Sequence, residues 1–369
     1  MDALTTPLPK DWQRVRLGDI LSYEQPTKFL VATTQYLQKG FTPILTAGKT
    51  FILGYTNDKH GIYTNIPVII FDDFTTDSKM VNFPFKVKSS AIKILSLRDN
   101  NQADLKYIYE KLTLLKHQVT DHKRYWIDEF SNIEIPLPPL NEQIAIANIL
   151  SGLDRYLYSL DALILKKESV KKALSFELLS QRKRLKGFNQ AWQKVRLGDI
   201  AEIKRGIRIT KNELDVFGKY PVVSGGVGFL GYTNNFNRYE NTITIAQYGT
   251  AGYVNFQKNK FWANDVCFCV YPNKDVIKNI FLYYFLKVNQ NYLYEISNRN
   301  ATPYSISKDK ILDFEIPLPP LDEQRAIANI LSDVDHEIIS LKNKKRQFEN
   351  IKKALNHDLM SAKIRVLKK

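Results

Sequence analysis

Apolar positions along the chain follow two rhythms. Short β-branched and aromatic runs, broken by Gly, Asn, Asp and Pro, occupy Val68–Phe71 (VIIF), Ala91–Leu95 (AIKIL), Asn241–Ala246 (NTITIA) and Val266–Tyr271 (VCFCVY). They predict short strands joined by turns. Helical spacing takes over at Asp104–Gln118 and again at Val276–Gln290. A longer stripe follows each. Ile146, Leu150, Leu153, Leu157, Leu160, Ile164, Leu174 and Leu178 recur every three or four residues, interrupted by Lys167 and Lys171. Ile327, Leu331, Val334, Ile338, Leu341, Phe348, Leu355 and Leu359 repeat that spacing, interrupted by Lys345 and Lys352. Each stripe predicts a coiled-coil helix of more than four heptads, about 66 Å long at ~1.5 Å per residue. Leu150, Leu153, Leu157, Leu160 and Ile164, with Leu331, Val334, Ile338 and Leu341, are the expected seam between the two helices.

The rhythms come as a pair because the chain is a tandem repeat. Glu134–Ser151 (EIPLPPLNEQIAIANILS) returns at Glu315–Ser332 (EIPLPPLDEQRAIANILS) with 16 of 18 positions identical. Trp12–Ile20 returns at Trp192–Ile200, and Gly54–Asn57 (GYTN) at Gly231–Asn234. Between these landmarks the halves diverge, as a duplicated scaffold with two payloads would. Three prolines in "IPLPPL" exclude helix and predict an extended, stiff connector. Asn141 and Asp322 stand where an N-cap is wanted, Glu142 and Glu323 suit the positive end of a helix dipole, and Gly187 is placed to end the first helix. The expected organisation is a globular part over 1–140, a helix over 141–186, a second globular part over 187–321 and a second helix over 322–369. Helix two is expected to run back antiparallel to helix one, bringing "KIRVLKK" near "WQRVRLGDI".

The net charge is +15 over 369 residues. Its four segments carry 17, 9, 16 and 11 basic side chains against 15, 5, 11 and 7 acidic ones, so the excess is spread along the chain rather than held in a tail. That suits a protein lying along a polyanion. The two cysteines, Cys267 and Cys269, are too few for a disulfide framework or a zinc site and read as buried free thiols on one strand face. No charged-then-apolar leader opens the chain, and no apolar stretch nears the ~20 residues a span needs. The expectation is a soluble, cytoplasmic protein.

The paired "IPLPPLxEQxxIAxIL" joints, each closing a globular part and opening a helix, resemble the specificity subunit of type I restriction-modification enzymes over essentially the whole chain. The resemblance implies an α+β fold: two globular target recognition domains joined by two long antiparallel coiled-coil helices, with a pseudo-two-fold internal repeat. It implies that each domain reads half of a bipartite double-stranded DNA target. The helices would set the spacing and dock two methyltransferase subunits, with restriction subunits possible in the same complex. It implies no catalytic residue, metal or cofactor in this chain. Divergent payloads would make the target asymmetric.

Gln, Asn and Arg are the residue types that make bidentate contacts to bases, with Lys and Arg holding phosphates. In turn-rich stretches of the first half they and their neighbours give Lys49, Thr50, Tyr55, Asn57, Lys59, His60, Lys79, Lys86, Lys88, Ser89 and Ser90 as candidate DNA contacts. In the second half they give Lys204, Arg205, Arg208, Lys211, Gln247, Tyr248, Thr250, Asn298, Arg299, Asn300, Thr302 and Tyr304. Other motifs carry less. "AGKT" has Pro43 where a phosphate loop needs its first glycine, "GGVG" lacks the dinucleotide spacing, and "DLK" lies in a helical pattern without upstream acids. Asp72–Asp73 could hold a metal or accept from cytosine, but a turn or a lysine partner is the plainer reading. Three alternatives stay open: a nuclease or methyltransferase with its own site, a protein scaffold, and, within the family, the recognition subunit of a type II-like modification system.

Overall fold

The computed structural model describes residues 8–46, 50–115 and 125–367. The chain divides into two compact units, Met1–Leu160 with Lys344–Lys369, and Asp161–Asn343. Their globular domains share one topology. In the first, a four-stranded antiparallel sheet runs in the order Leu21–Glu24, Ile92–Leu97, Val68–Asp72, Ser78–Val81. In the second the order is Ala201–Arg205, Cys267–Pro272, Thr242–Ala246, Val254–Gln257. The strands Val68–Asp72 and Thr242–Ala246 are buried at every position; the first reads as an apolar run, and the second buries Thr242 and Thr244 among Ile243, Ile245 and Ala246. A three-stranded sheet follows in each: Ile52–Thr56, Thr42–Leu45, Lys86–Val87, and Phe229–Thr233, Tyr220–Val223, Trp262–Ala263. Each has one antiparallel and one parallel pairing, and even a register shift recurs, between Ile44 and Leu45 and between Val222 and Val223. The payloads that diverge in sequence are therefore one fold.

The predicted helical stretches shorten to Leu105–Leu114 and Asn279–Val288, and residues 116–118 of the first lie outside the described residues. Asp104 caps the first by accepting from the Tyr107 N–H. Cys267 and Cys269 are free and buried.

The proline-rich segment is extended as expected, but it is a paired strand rather than a free connector. Glu134–Leu137 lies antiparallel to Gln13–Arg16, and Glu315–Leu318 to Gln193–Arg196. Two of the repeated phrases are thus the two strands of one ribbon. Each long helix has 40 residues, Leu140–Leu179 and Leu321–Met360. The first begins one residue before the proposed cap, because the Pro139 carbonyl already accepts from the Glu142 and Gln143 N–H groups. It ends well before Gly187. Gln181 and Ala362 take left-handed backbone (φ 62° and 58°) two residues past the helices. Lys183 and Ile364 then donate back to the Glu177 and Asp358 carbonyls, which closes the orphaned last turn.

The "NEQ" and "DEQ" at the helix starts explain why the joint is written twice. Gln143 is fully buried; its Nε2 donates to the Pro138 and Gln102 carbonyls and its Oε1 accepts from Asp104 N. Gln324 does the same with Pro319, Val276 and Lys278. Glu142, buried, accepts from Trp12 Nε1 and from Arg365, whose guanidinium also reaches Asp11. Glu323, equally buried, accepts from Trp192 Nε1 and, in a two-pronged contact, from Arg184. In each unit one arginine just beyond the end of a long helix clamps the start of the other.

Each unit holds a short antiparallel stretch of the helix pair. In the first, Tyr156 and Phe348 pack at 4.6 Å and Lys352 bonds Asp154 at 2.6 Å. In the second, Lys167 meets Glu337 at 2.7 Å, Lys171 meets Asp335 at 2.5 Å and Glu168 meets Lys342 at 2.6 Å. Lys167, Lys171 and Lys352, which interrupt the apolar stripe, are therefore charge partners across the pair, and Lys345 bonds Glu349 on its own helix. Among the seam residues, Leu160, Ile164 and Ile338 are buried and Leu153, Leu157, Val334 and Leu341 half-buried. Leu150 and Leu331 are buried in the domain cores.

Candidate nucleic-acid interface

In the second domain three loops converge on the turn Asn264–Val266, between Trp262–Ala263 and Cys267–Pro272. Asn264 is its centre. Its N–H donates to the Val223 carbonyl, its Oδ1 accepts from the Ile209 and Asp265 N–H groups, and its Nδ2 donates to Ser224 Oγ. Gln247 joins through its N–H to the Val266 carbonyl. Thr250 ties in the glycine loop, its N–H and Oγ both donating to the Gly225 carbonyl. Gly225 has to be glycine, because a Cβ there would overlap the Tyr248 carbonyl oxygen. Asn298–Ile306 closes the group: Gly249 N–H donates to the Tyr304 carbonyl and Ile306 N–H to that of Gln247.

The structure thus brings Gln247, Tyr248 and Thr250 together with Asn298, Arg299, Asn300, Thr302 and Tyr304. Arg299 is stacked between Tyr294 and Tyr304, 4.9 and 5.0 Å from their ring centres, which leaves a rigid, exposed guanidinium. Gln247 Oε1 is shut off from water and has no hydrogen-bond partner, an unmet acceptor of the kind a ligand satisfies. Arg208 and Lys211 are exposed on the segment that Asn264 anchors. Arg205, exposed, donates its Nε to the Asp265 carbonyl, and Lys204, also exposed, bonds Glu202 and lies over the Tyr271 ring.

The first domain builds the same edge differently. Its turn is Lys88–Ala91, with Lys88 N–H donating to the Leu45 carbonyl as Asn264 does to Val223. Asp73 stands in the place of Gln247, its N–H donating to the Ala91 carbonyl. Its carboxylate is consumed internally by Lys93 at 2.9 Å, both groups being buried, and by the Trp126 N–H. Asp72 caps the turn through Phe74 N and Thr75 Oγ1. The plainer reading of this acidic pair is the one observed. Among the described residues no cluster of three or more His, Cys, Asp or Glu could hold a metal.

Of the first-half candidates, Thr50, Asn57, Lys59, His60, Lys88 and Ser90 are exposed, and Tyr55 and Ser89 half-buried. Lys88 lies 5.9 Å from the Tyr36 ring centre and Lys79 4.6 Å from that of Phe51. Lys86 is a correction: it is buried, bonded to Asp58 at 2.9 Å and to the His60 carbonyl, so it holds the loop and faces no solvent. Lys49, with the rest of Ala47–Lys49, lies outside the described residues. Sequence reasoning passed over Asn264, although Asn-Asp after a short apolar run is a turn signal. It also passed over Arg238, which bridges the Asn237 and Arg205 carbonyls.

The duplicated frame matches a known family. The chain matches the type I restriction modification DNA specificity domain twice, over residues 9–167 and 189–350. It therefore belongs to the family of type I restriction-modification specificity subunits, the components that give these systems their DNA sequence specificity. It is 32% identical over 351 residues to the EcoR124I/EcoR124II specificity subunit of Escherichia coli, covering 86% of this chain and 85% of the relative. It is 26% identical to the MjaVIII specificity subunit of Methanocaldococcus jannaschii, covering 97% and 94%. In fold it is similar to the crystal structure of the type I restriction-modification S subunit from M. genitalium, with a TM-score of 0.72 at 20% identity, over 97% of this chain and 98% of that one. Among the described residues no helix is long and apolar enough to cross a membrane.

Proposed function

We propose that each domain reads one half of an interrupted, asymmetric DNA target through the edge just described. The observation that carries this reading is that one backbone frame presents two different sets of side chains. Gln247, Tyr248, Thr250 and the 298–304 loop line the second edge; Lys88, Ser89 and Ser90 line the first, where Asp73 is already engaged. Thr50, Asn57, Lys59, His60, Lys79, Arg208 and Lys211 are proposed to hold phosphates or flanking bases. Lys86 is better explained as an internal support, and Lys204 and Arg205 as surface groups engaged with Glu202 and the Asp265 carbonyl. The chain acts as a recognition component without chemistry of its own, and partner methyltransferase subunits supply the reaction. Restriction subunits can join the same assembly. A cytoplasmic site of action follows from the DNA substrate.

A cleft of about 830 Å³ in the second unit is proposed as one methyltransferase docking surface. Lys258, Lys274, Lys278 and Arg325 line it above Phe256 and Tyr283, so it suits an acidic, partly aromatic partner segment. The test of the main reading is methylome sequencing of a host carrying this gene and its methyltransferase against a host lacking this gene alone. An interrupted, asymmetric modified motif that disappears with the gene is the expected result. Unchanged methylation would reject the reading.

A further inference from the structure

The duplicated GYTN motif has no part in the edges described above. Its residues instead hold up a loop. In the first domain the Leu37 and Tyr55 backbones bond each other, and Asn57 Oδ1 accepts from the Phe41 N–H at 3.2 Å. In the second, Asp215 N–H donates to the Tyr232 carbonyl, and Asn234 Nδ2 donates to the Asp215 carboxylate at 2.6 Å. The same carboxylate accepts from the Phe217 N–H at 2.9 Å. Gly40 and Gly218 let the loops press onto the hairpins, since a Cβ at either would run into the hairpin at Tyr55 or Thr233.

What each loop holds out is a phenylalanine. Phe41 is 91% exposed and Phe217 94%, the two most exposed large apolar side chains among the described residues. The loop sequences, QKGF and VFGK, are not alike, and the ring sits at different places along them. A cradle written twice therefore presents an aromatic ring twice, on unrelated loops. An accidental surface ring would not be expected in both. Exposed lysines stand near both rings along the chain. Lys39, Lys59, Lys211 and Lys219 are exposed and make no ion pair among the described residues, with Lys219 over the Tyr220 ring, whereas the neighbouring Glu213 and Asp215 carboxylates are occupied by Thr210 and by Phe217 N–H with Asn234. An unsheathed ring near exposed lysines suits a polyanion that also offers flat apolar surface, which is the description of a base-pair step between phosphates.

We propose that Phe41 and Phe217 are wedges: each enters the DNA at its own half-site, partly unstacks one base step and bends the duplex there. The inference rests on the reading of the chain as a two-domain DNA reader and adds a deformation to it. The test uses the chain in complex with its methyltransferase subunits, on duplexes carrying 2-aminopurine at successive positions of each half-site, the methylated base excluded. Fluorescence should rise at one step per half-site. Phe41→Ala should abolish the rise in the first half-site alone and Phe217→Ala in the second alone, each weakening binding about tenfold. Phe217→Leu should retain most of the signal, because an aliphatic wedge also unstacks a step.

No rise away from the methylated base would overturn the proposal, as would a rise that survives both alanine variants. Loss of methyltransferase association in either variant, seen by analytical ultracentrifugation, would also overturn it by placing the rings in a protein contact. The half-site reading itself is judged separately, by whether the wild-type complex still methylates only its motif.

Discussion

The two domains share strand order, register, a bulge and a helix clamp, yet they differ at their working edges. In the second domain Gln247 leaves an acceptor unmet, and Arg299 is stacked but free at its tip. In the first, the corresponding Asp73 is locked to Lys93. One frame thus tolerates a satisfied polar core at a position where its twin keeps an open one. Whatever distinguishes the two half-sites lies in side chains mounted on a shared backbone. The frame can stay constant while the edge varies, because the joint's polar groups Glu142, Gln143, Glu323 and Gln324 find their partners within it.

The strongest way to break this comparison is to attack the shared clamp. Arg184→Ala strands the buried Glu323, and Arg365→Ala strands Glu142; each should cost about 3 kcal/mol in chemical denaturation. A large inequality between the two would mean that the clamps are not equivalent. Next come the edges. Asp73→Ala should destabilise by about 3 kcal/mol by leaving Lys93 buried and unpaired. Gln247→Ala should change stability by less than about 1 kcal/mol yet relax the second half-site alone, read as methylation at near-cognate motifs.

Helix length offers a third handle. Four residues inserted between Leu160 and Ile164, with four at the matched point between Leu341 and Lys345, add about 6 Å. The preferred gap should grow by about two base pairs at ~3.4 Å each, as methylome sequencing would report. An unchanged gap would reject the idea that the helices set spacing.

A smaller effect is read through pH. Burial, helped by Arg14, pulls Lys111 down to about 8, although its ammonium bonds the Met360 carbonyl. The unfolded chain keeps that proton to about 10.4, so between about 8 and 10.4 the unfolded state binds more protons and stability should rise with pH. Lys111→Met should flatten that rise in the urea midpoint. In the second domain Phe285 holds the matching position, while burial lowers Lys287 two residues on, so Lys111→Met isolates the first domain's share. Smallest of all, Arg208→Ala and Lys88→Ala should each lower the salt slope of DNA binding by about one.

Much of the frame was legible because its signals are local. Buried central strands read as apolar runs, and the helix pair read as a heptad stripe. The interrupting lysines looked like defects, because their acids lie more than 150 residues away in sequence: Glu337 for Lys167, Asp154 for Lys352. The joint looked like a linker for the same reason, since Pro136 pairs with Arg14 across the whole domain. The common topology of the payloads was invisible, because Phe71 and Ile245 occupy one core position with different side chains, and only burial is conserved between them. At the edge, residue type singled out Gln247 and Arg299 as candidates but could not tell Lys86, turned inward, from Lys88, turned out. The two lysines are two positions apart, so alternation alone would put them on one face; they differ because the strand ends at Val87 and Lys88 already belongs to the turn.

The clamps also give the chain an order of events. Asp161–Asn343 is one uninterrupted stretch, whereas the other unit is assembled from residues 1–160 and from residues beyond 343. Arg365 meets Asp11 across 354 positions, but Arg184 meets Glu323 across 139. Closing the longer loop carries the greater entropic cost, and long-range contacts form late. During synthesis the unit that starts first is therefore the one that finishes last. Until residues 344–367 arrive, its apolar helix face stands uncovered and Glu142 lacks its arginine. A newly made chain would pass through a stage in which one reader is complete and the other still waits for its final strap.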